Sequence, residues 1–130
     1  PKMLGLAERA WAGEPDWASI TGKEERVEAM NRDWSAMATV IASHVLPRLD
    51  HLNGGYYYRI PPPGAVIRDG YLHANVALPG MEIRFTTDGS EPDRNATLYE
   101  GPVRVSGSAK LRTFSSEGRG SRVSSAEARD

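Results

Sequence analysis

Two hydrophobic periods run along this chain. In its first part Val27, Met30, Trp34, Met37, Ile41 and Val45 follow at alternating three- and four-residue steps, which places them on one face of an amphipathic helix. Thr21-Gly22-Lys23-Glu24 stands ahead of this stripe with the form of a capping box, the Thr hydroxyl capping the N3 amide and Glu24 reaching back. Glu24, Glu25 and Glu28 lie near the positive end of the helix dipole, so this charge run marks a helix start and not a catalytic dyad. From Thr21 to Val45 the helix would extend for about 37 Å. Pro47 is expected to kink or end it near Leu46, because proline lacks the amide donor and its ring crowds the preceding turn. Leu49 and Leu52 can add a short turn before Asn53-Gly54 stops it. A shorter helix is expected from Pro1 to Trp11, with Pro at the first helical position and Leu4, Ala7 and Trp11 on one face. Gly5 weakens it by about 1 kcal/mol relative to Ala, which points to a neighbour packed closely there. Glu8 and Arg9, adjacent in sequence, should point apart and serve to hold neighbouring elements. Gly13 to Ile20 reads as loop.

From Ala65 onward the period shortens to two. Ala65–Arg68 precedes an Asp69-Gly70 hairpin turn, and Leu72, Ala74, Val76 and Leu78 then alternate with His73, Asn75 and Ala77 up to Pro79-Gly80. Glu82–Thr87 alternates in the same way, with Ile83 and Phe85 on one side and Arg84 and Thr86 on the other, and Asp88-Gly89 turns the chain. Further short strands are expected around Leu98-Tyr99, at Val103–Val105, Lys110–Ser115 and Arg122–Ala128. About seven short strands with turns at close intervals indicate a small antiparallel sandwich of immunoglobulin-like architecture. Between the two regimes, Tyr56-Tyr57-Tyr58-Arg59-Ile60-Pro61-Pro62-Pro63-Gly64 is a stiff, extended connection. Its tyrosines either offer a platform for a sugar ring or pack in the joint, and packing is the expectation. The organisation read from pattern is therefore α+β: a helical segment over 1–55, a Tyr/Pro-rich linker over 56–64 and a β-sandwich over 65–130.

Composition sharpens this division. All three tryptophans (Trp11, Trp17, Trp34) fall before residue 56, as do Met3, Met30 and Met37 of the four methionines. Residues 1–55 carry six Lys/Arg against eight Asp/Glu and residues 56–130 carry ten against nine, so neither half is a basic arm for nucleic acid. The chain has no cysteine, which excludes disulfides and thiolate chemistry. No apolar run approaches the ~18 residues of a membrane span. His44 and His51 stand seven apart without a third ligand at metal spacing, and His73 is isolated, so neither metal nor cofactor is expected. The stripe from Val27 to Val45 is a packing or self-association face, since no polar group interrupts it. The chain opens on Pro1 instead of Met, which leads to the expectation of a fragment whose targeting signals lie elsewhere.

Several stretches carry a family likeness. Pro1-Lys2-Met3-Leu4-Gly5-Leu6-Ala7-Glu8-Arg9-Ala10-Trp11 resembles a segment late in the catalytic barrel of glycoside hydrolase family 20, where a Pro-Arg start leads into a Leu-Ala-Glu-Arg-x-Trp helix. Tyr58-Arg59-Ile60-Pro61-Pro62-Pro63-Gly64-Ala65, Asn75-Val76-Ala77-Leu78-Pro79-Gly80 and Thr86-Thr87-Asp88-Gly89-Ser90-Glu91-Pro92 are similar to the C-terminal domain of bacterial chitobiases, which are β-N-acetylhexosaminidases. In this order the pieces cover nearly the whole chain. The resemblance implies that residues 1–52 are the last outer helices of a TIM-type barrel. It also implies that the catalytic Asp-Glu pair lies upstream, the Glu protonating the glycosidic oxygen and the Asp positioning the substrate's own acetamido group. The sugar-stacking tryptophans precede this segment too. None of these roles maps onto a residue here, and Lys2 replaces the arginine usual in the family.

Pattern and resemblance together imply that the chain is the non-catalytic C-terminal piece of a β-N-acetylhexosaminidase that removes terminal N-acetylhexosamine from chitooligosaccharides, with the sandwich bracing the barrel. The expected partner is the barrel of the same chain; without it, the helices would pair with a second copy or fold onto the sandwich, because so large an apolar stripe is rarely left in water. The resemblance implies a periplasmic or secreted location. The alternative is a carbohydrate-binding sandwich module. Against it, Tyr71, Phe85, Tyr99 and Phe114 are the aromatics of the sandwich, and pattern turns Phe85 and Tyr99 inward.

Overall fold

A computed structural model describes residues 2–128; Pro1, expected at the first helical position, lies outside the described residues, as do the side chains of Lys2 and Leu4. The chain is α+β and divides into two compact units, one ending at Met37 and the other starting at Ala38. The break thus falls inside the long helix and not near Gly55, where composition changes. Residues from Ala38 group with the sandwich: Ala38, Ile41, Ala42 and Leu46 are all buried, and a Cβ on Gly80 would stand 3.8 Å from Ala42 Cβ.

In the first unit, α1 spans Lys2–Trp11 and a single 3-10 turn spans Asp16–Ser19. The helix α2 starts at Lys23 and runs to Val40. Its first backbone bond joins Arg26 N–H to the carbonyl of Gly22, so Gly22 takes the capping position and the expected Thr21 capping box does not form. Gly5 faces Met37, but a Cβ there would stand 3.9 Å from its methyl, an ordinary contact and not the close approach expected. Glu8 and Arg9 do not point apart: Arg9 Nε folds back to donate to Glu8 Oε2 at 2.6 Å. Trp17 Nε1 donates to Asp33 Oδ2 at 3.0 Å and ties the 3-10 turn to α2. Trp11 does not pack on the face assigned to it, being 91% exposed.

In the second unit, Pro47 does not end the helix. The turn Ile41–Val45 widens to π-helical geometry, with Leu46 N–H donating to Ile41 O, and α3 continues over Leu46–His51. A wider turn relieves the clash of the proline ring with the preceding carbonyls, so the helix adapts where an ideal α-turn would break. Leu52–Gly54 closes it as a 3-10 turn, with Asn53 in the left-handed region at φ 51°.

Among the described residues, seven strands succeed the helices: β1 (Gly64–Arg68), β2 (Tyr71–Asn75), β3 (Glu82–Thr86), β4 (Thr97–Leu98), β5 (Val103–Arg104), β6 (Ser108–Phe114) and β7 (Ser124–Glu127). They form a three-stranded sheet ordered β1-β2-β5 and a four-stranded sheet ordered β4-β3-β6-β7. Every ladder is antiparallel. Arg68 pairs with Tyr71 across Asp69-Gly70, both at positive φ (52° and 76°), as a two-residue hairpin with strand twist requires. Between the sheets lie Ile67, Leu72, Ile83, Phe85, Val105, Ala109, Leu111 and Ala126. The alternation at Ile83 and Phe85 therefore faces the core, as the period of two requires.

Tyr99 packs edge-on against Phe85 at 6.4 Å, and its hydroxyl accepts from Ala74 N at 2.9 Å in the other sheet. The Thr86–Pro92 turn is fastened from within. Ser90 donates from both its amide and hydroxyl to Asp88 Oδ1 at 3.0 and 2.6 Å, and Thr86 Oγ1 donates to Ser90 O at 2.6 Å. Those Ser90 bonds hold the Asp88 carboxyl below its ordinary range. Lys110 Nζ, on β6, donates to Gly89 O at 2.6 Å, and Pro92 is fully buried.

Candidate functional site

The best-formed polar cluster joins α3, the Tyr/Pro segment and the turn between β6 and β7. Its assembly begins with the chain reversal at the end of α3. Gly55 sits at φ 96°, where a Cβ would stand 2.8 Å from Asp50 O, so only glycine lets the chain pass this close to the helix. Tyr56 N–H then donates to Leu49 O at 2.8 Å and brings Tyr58 back beneath Asp50. On the other side, Ser115 and Arg119 are linked by backbone bonds across a tight turn: Ser115 N–H donates to Arg119 O at 3.0 Å, and Gly118 N–H to Ser115 O at 2.8 Å.

Arg119 projects from this turn and closes the cluster. Its Nη1 donates to Asp50 Oδ1 at 2.6 Å and its Nη2 to Tyr58 O at 2.6 Å. Tyr58 Oη donates to the other Asp50 oxygen at 2.9 Å, so both oxygens of a carboxylate only 10% exposed are satisfied. The guanidinium also lies 4.3 Å from the centroid of the Tyr58 ring. Burial first, then the bond to the Asp50 carboxylate, pushes the Tyr58 phenol up to about 12. His51 approaches Glu117 at 3.8 Å beside this junction. The Asp50, Tyr58 and Arg119 groups satisfy one another inside the protein, so the cluster is built to hold elements together and not to present a reactive group.

The residues expected to form a helix packing face divide between the two units. Ile41 is buried and Val45 half-buried in the second; in the first, Met37 is half-buried while Val27, Met30 and Trp34 are 46, 42 and 48% exposed. The tyrosines divide as well: Tyr58 is buried, whereas Tyr57 is 97% exposed. His44 Nδ1 meets the neighbouring Ser43 hydroxyl at 2.7 Å, and His73 is exposed on β2. No cluster of three or more His, Asp or Glu able to hold a metal occurs among the described residues. Sequence reasoning missed Asp50 and Arg119. They are sixty-nine residues apart, and the one local trace was the Gly118-Arg119-Gly120 turn.

Two antiparallel sheets of three and four strands, entered from a helix that is ion-paired to them, define a small β-sandwich domain with a helical lead-in. The chain belongs to the chitobiase/beta-hexosaminidase C-terminal domain family, which matches residues 45–123. The match starts inside the helix, a few residues before Asp50, and runs past Arg119. Among curated relatives, the chain is 30% identical over 129 residues to an N,N'-diacetylchitobiase of Vibrio harveyi, covering 91% of this chain and 14% of that protein. It is 25% identical over 140 residues to a beta-hexosaminidase of Vibrio vulnificus, covering 95% of this chain and 16% of that one. The chain therefore spans only 14–16% of the length of these relatives.

Proposed function

We propose that this chain is the C-terminal part of a β-N-acetylhexosaminidase that removes terminal N-acetylhexosamine from chitooligosaccharides. In this reading it carries no catalytic residue, and its sandwich braces the last helices of the barrel. The observation that supports the bracing role most directly is the Asp50–Tyr58–Arg119 junction, which ties α3, the Tyr/Pro segment and the β6–β7 turn together by three charge-assisted bonds and a ring contact. Supporting the wider reading is the exposed apolar surface of the first unit, where Met3, Leu6, Trp11, Val27, Met30 and Trp34 stand open in a chain that spans a small part of its relatives. A catalytic barrel preceding this chain would cover such a face; a second copy would cover it when the barrel is missing. Secretion or periplasmic residence belongs to the same reading. Among the described residues, no helix is long and apolar enough to cross a membrane.

Two assays test the proposal. The 130-residue chain should leave a chromogenic N-acetylglucosaminide intact while a longer chain including the barrel turns it over; turnover by the short chain would overturn the assignment of catalysis to the missing part. Arg119→Ala placed in the longer chain should lower its melting temperature and leave kcat unchanged below the transition. An unchanged melting temperature would remove the bracing role.

A further inference from the structure

Beside the Asp50–Tyr58–Arg119 junction lies an open groove of about 830 Å³, running between the Tyr57–Ile60 segment and residues 120–123. Its charge is lopsided. Arg59, Arg112, Arg119 and Arg122 line it against a single carboxylate, Glu91. Arg119 is neutralised by Asp50, but Arg59 and Arg122 have no side-chain hydrogen bond or ion pair among the described residues. Arg112 is held in place: its Nε donates to Ser121 O at 2.9 Å and its guanidinium lies 5.5 Å from the Phe114 ring centroid. That placement depends on Gly120, since a Cβ there would stand 2.6 Å from Arg112 Nη2. At the end of the groove, Tyr57 presents an almost wholly exposed ring while Tyr58 and Tyr99 are packed inward.

We infer that this groove binds an anionic saccharide, its ring stacked on Tyr57 and its sulfate or carboxylate held by Arg59, Arg112 and Arg122. Guanidinium forks match oxyanions with paired hydrogen bonds, and a tyrosine ring offers an apolar face with a polar tip. The volume is that of a small-ligand pocket, not of a protein footprint. The groove shares Tyr58 and Arg119 with the junction, and the Arg119 guanidinium lies 5.5 Å from the Tyr57 ring centroid, but Arg59, Arg112 and Arg122 take no part in the junction's bonds and the inference does not rest on the bracing role.

The test is an NMR titration of the 130-residue chain with four probes: 6-O-sulfated chitotriose, a hexuronate trisaccharide, unsulfated chitotriose and sodium sulfate. At least one of the two anionic saccharides should shift the Tyr57 and Arg122 resonances saturably. It should bind about ten-fold or more tightly than neutral chitotriose and than free sulfate, and weaken as NaCl is raised. Which of the two binds separates sulfate from carboxylate recognition. The Arg59→Ala/Arg122→Ala double variant, which breaks no internal bond, should lose about ten-fold in affinity with an unchanged melting temperature. Tyr57→Ala should lose the saccharide preference over free sulfate. Silence toward both anionic saccharides, equal binding of the neutral trimer, equal binding of bare sulfate, or indifference to the substitutions would each overturn the inference.

Discussion

Arg119 is the side chain on which the helix-to-sandwich junction turns. Removing it leaves a carboxylate only 10% exposed with its counter-charge gone and the Tyr58 carbonyl without its donor. Because Arg119 itself is one-third exposed, solvent replaces part of what is lost, and Arg119→Ala should cost about 1–3 kcal/mol in urea unfolding. A change within about 0.5 kcal/mol, the range of an ordinary surface substitution, would deny the cluster a structural role. Tyr58 makes the same junction sensitive to alkali. Its phenol titrates at about 12 in the fold against an ordinary value of 10.0, so the folded state holds the proton more tightly than the unfolded one. The resulting stability is complete below pH 10 and is lost as pH rises through 12. Absorbance at alkaline pH should show one tyrosine titrating late, and Tyr58→Phe should flatten the alkaline fall in stability.

At the scale of elements, the helix from Lys23 to His51 passes Pro47 by opening one turn, and it stops at a left-handed residue followed by two glycines. Gly55→Ala tests that stop. The new methyl would meet Asp50 O in a backbone conformation L-residues avoid, so a loss of about 1–3 kcal/mol is expected, read from the shift in urea midpoint. Wild-type stability would mean the chain leaves α3 by another route. Strand existence and spacing were legible in the sequence, because Ile83, Phe85 and Leu72 sit in a period of two between turn residues, and all seven expected strands are present. Helix ends were less legible. Thr21 and Gly22 both suit a cap, and only the backbone bond from Arg26 to Gly22 decides between them. Likewise a proline reads as a kink or a stop, since sequence does not reveal that a π-turn will absorb it.

For the whole molecule, the two compact units carry different expectations. Residues from Ala38 enclose a core between two sheets, whereas those up to Met37 leave large apolar side chains exposed. Native-state amide exchange should therefore protect β3 and β6 most strongly and release α1 and the start of α2 earlier; uniform protection would contradict it. Exposed Val27, Met30 and Trp34 also give the proposed pairing of two copies a direct check. Light scattering over a concentration series should show the mass rising toward a dimer, and Trp34→Glu should abolish the rise. A monomer at every concentration would remove self-association from the account.

Local pattern determined the elements of this protein: the apolar steps of the helix, the alternation of the strands, and the Gly, Asp and Pro residues at the turns. These depend on backbone sterics and on the period of side-chain direction, both of which act over a few residues. Tertiary structure decided which parts belong together. It assigned Ala38 to Leu46 to the sandwich, turned Tyr58 inward and Tyr57 outward, and paired Asp50 with Arg119 sixty-nine residues away. Nothing near either residue encodes that pairing. The two charges meet because the packing of α3, the Tyr/Pro segment and the turn between β6 and β7 brings residues distant in sequence side by side and leaves the Asp50 carboxylate only 10% exposed, where a counter-charge is needed.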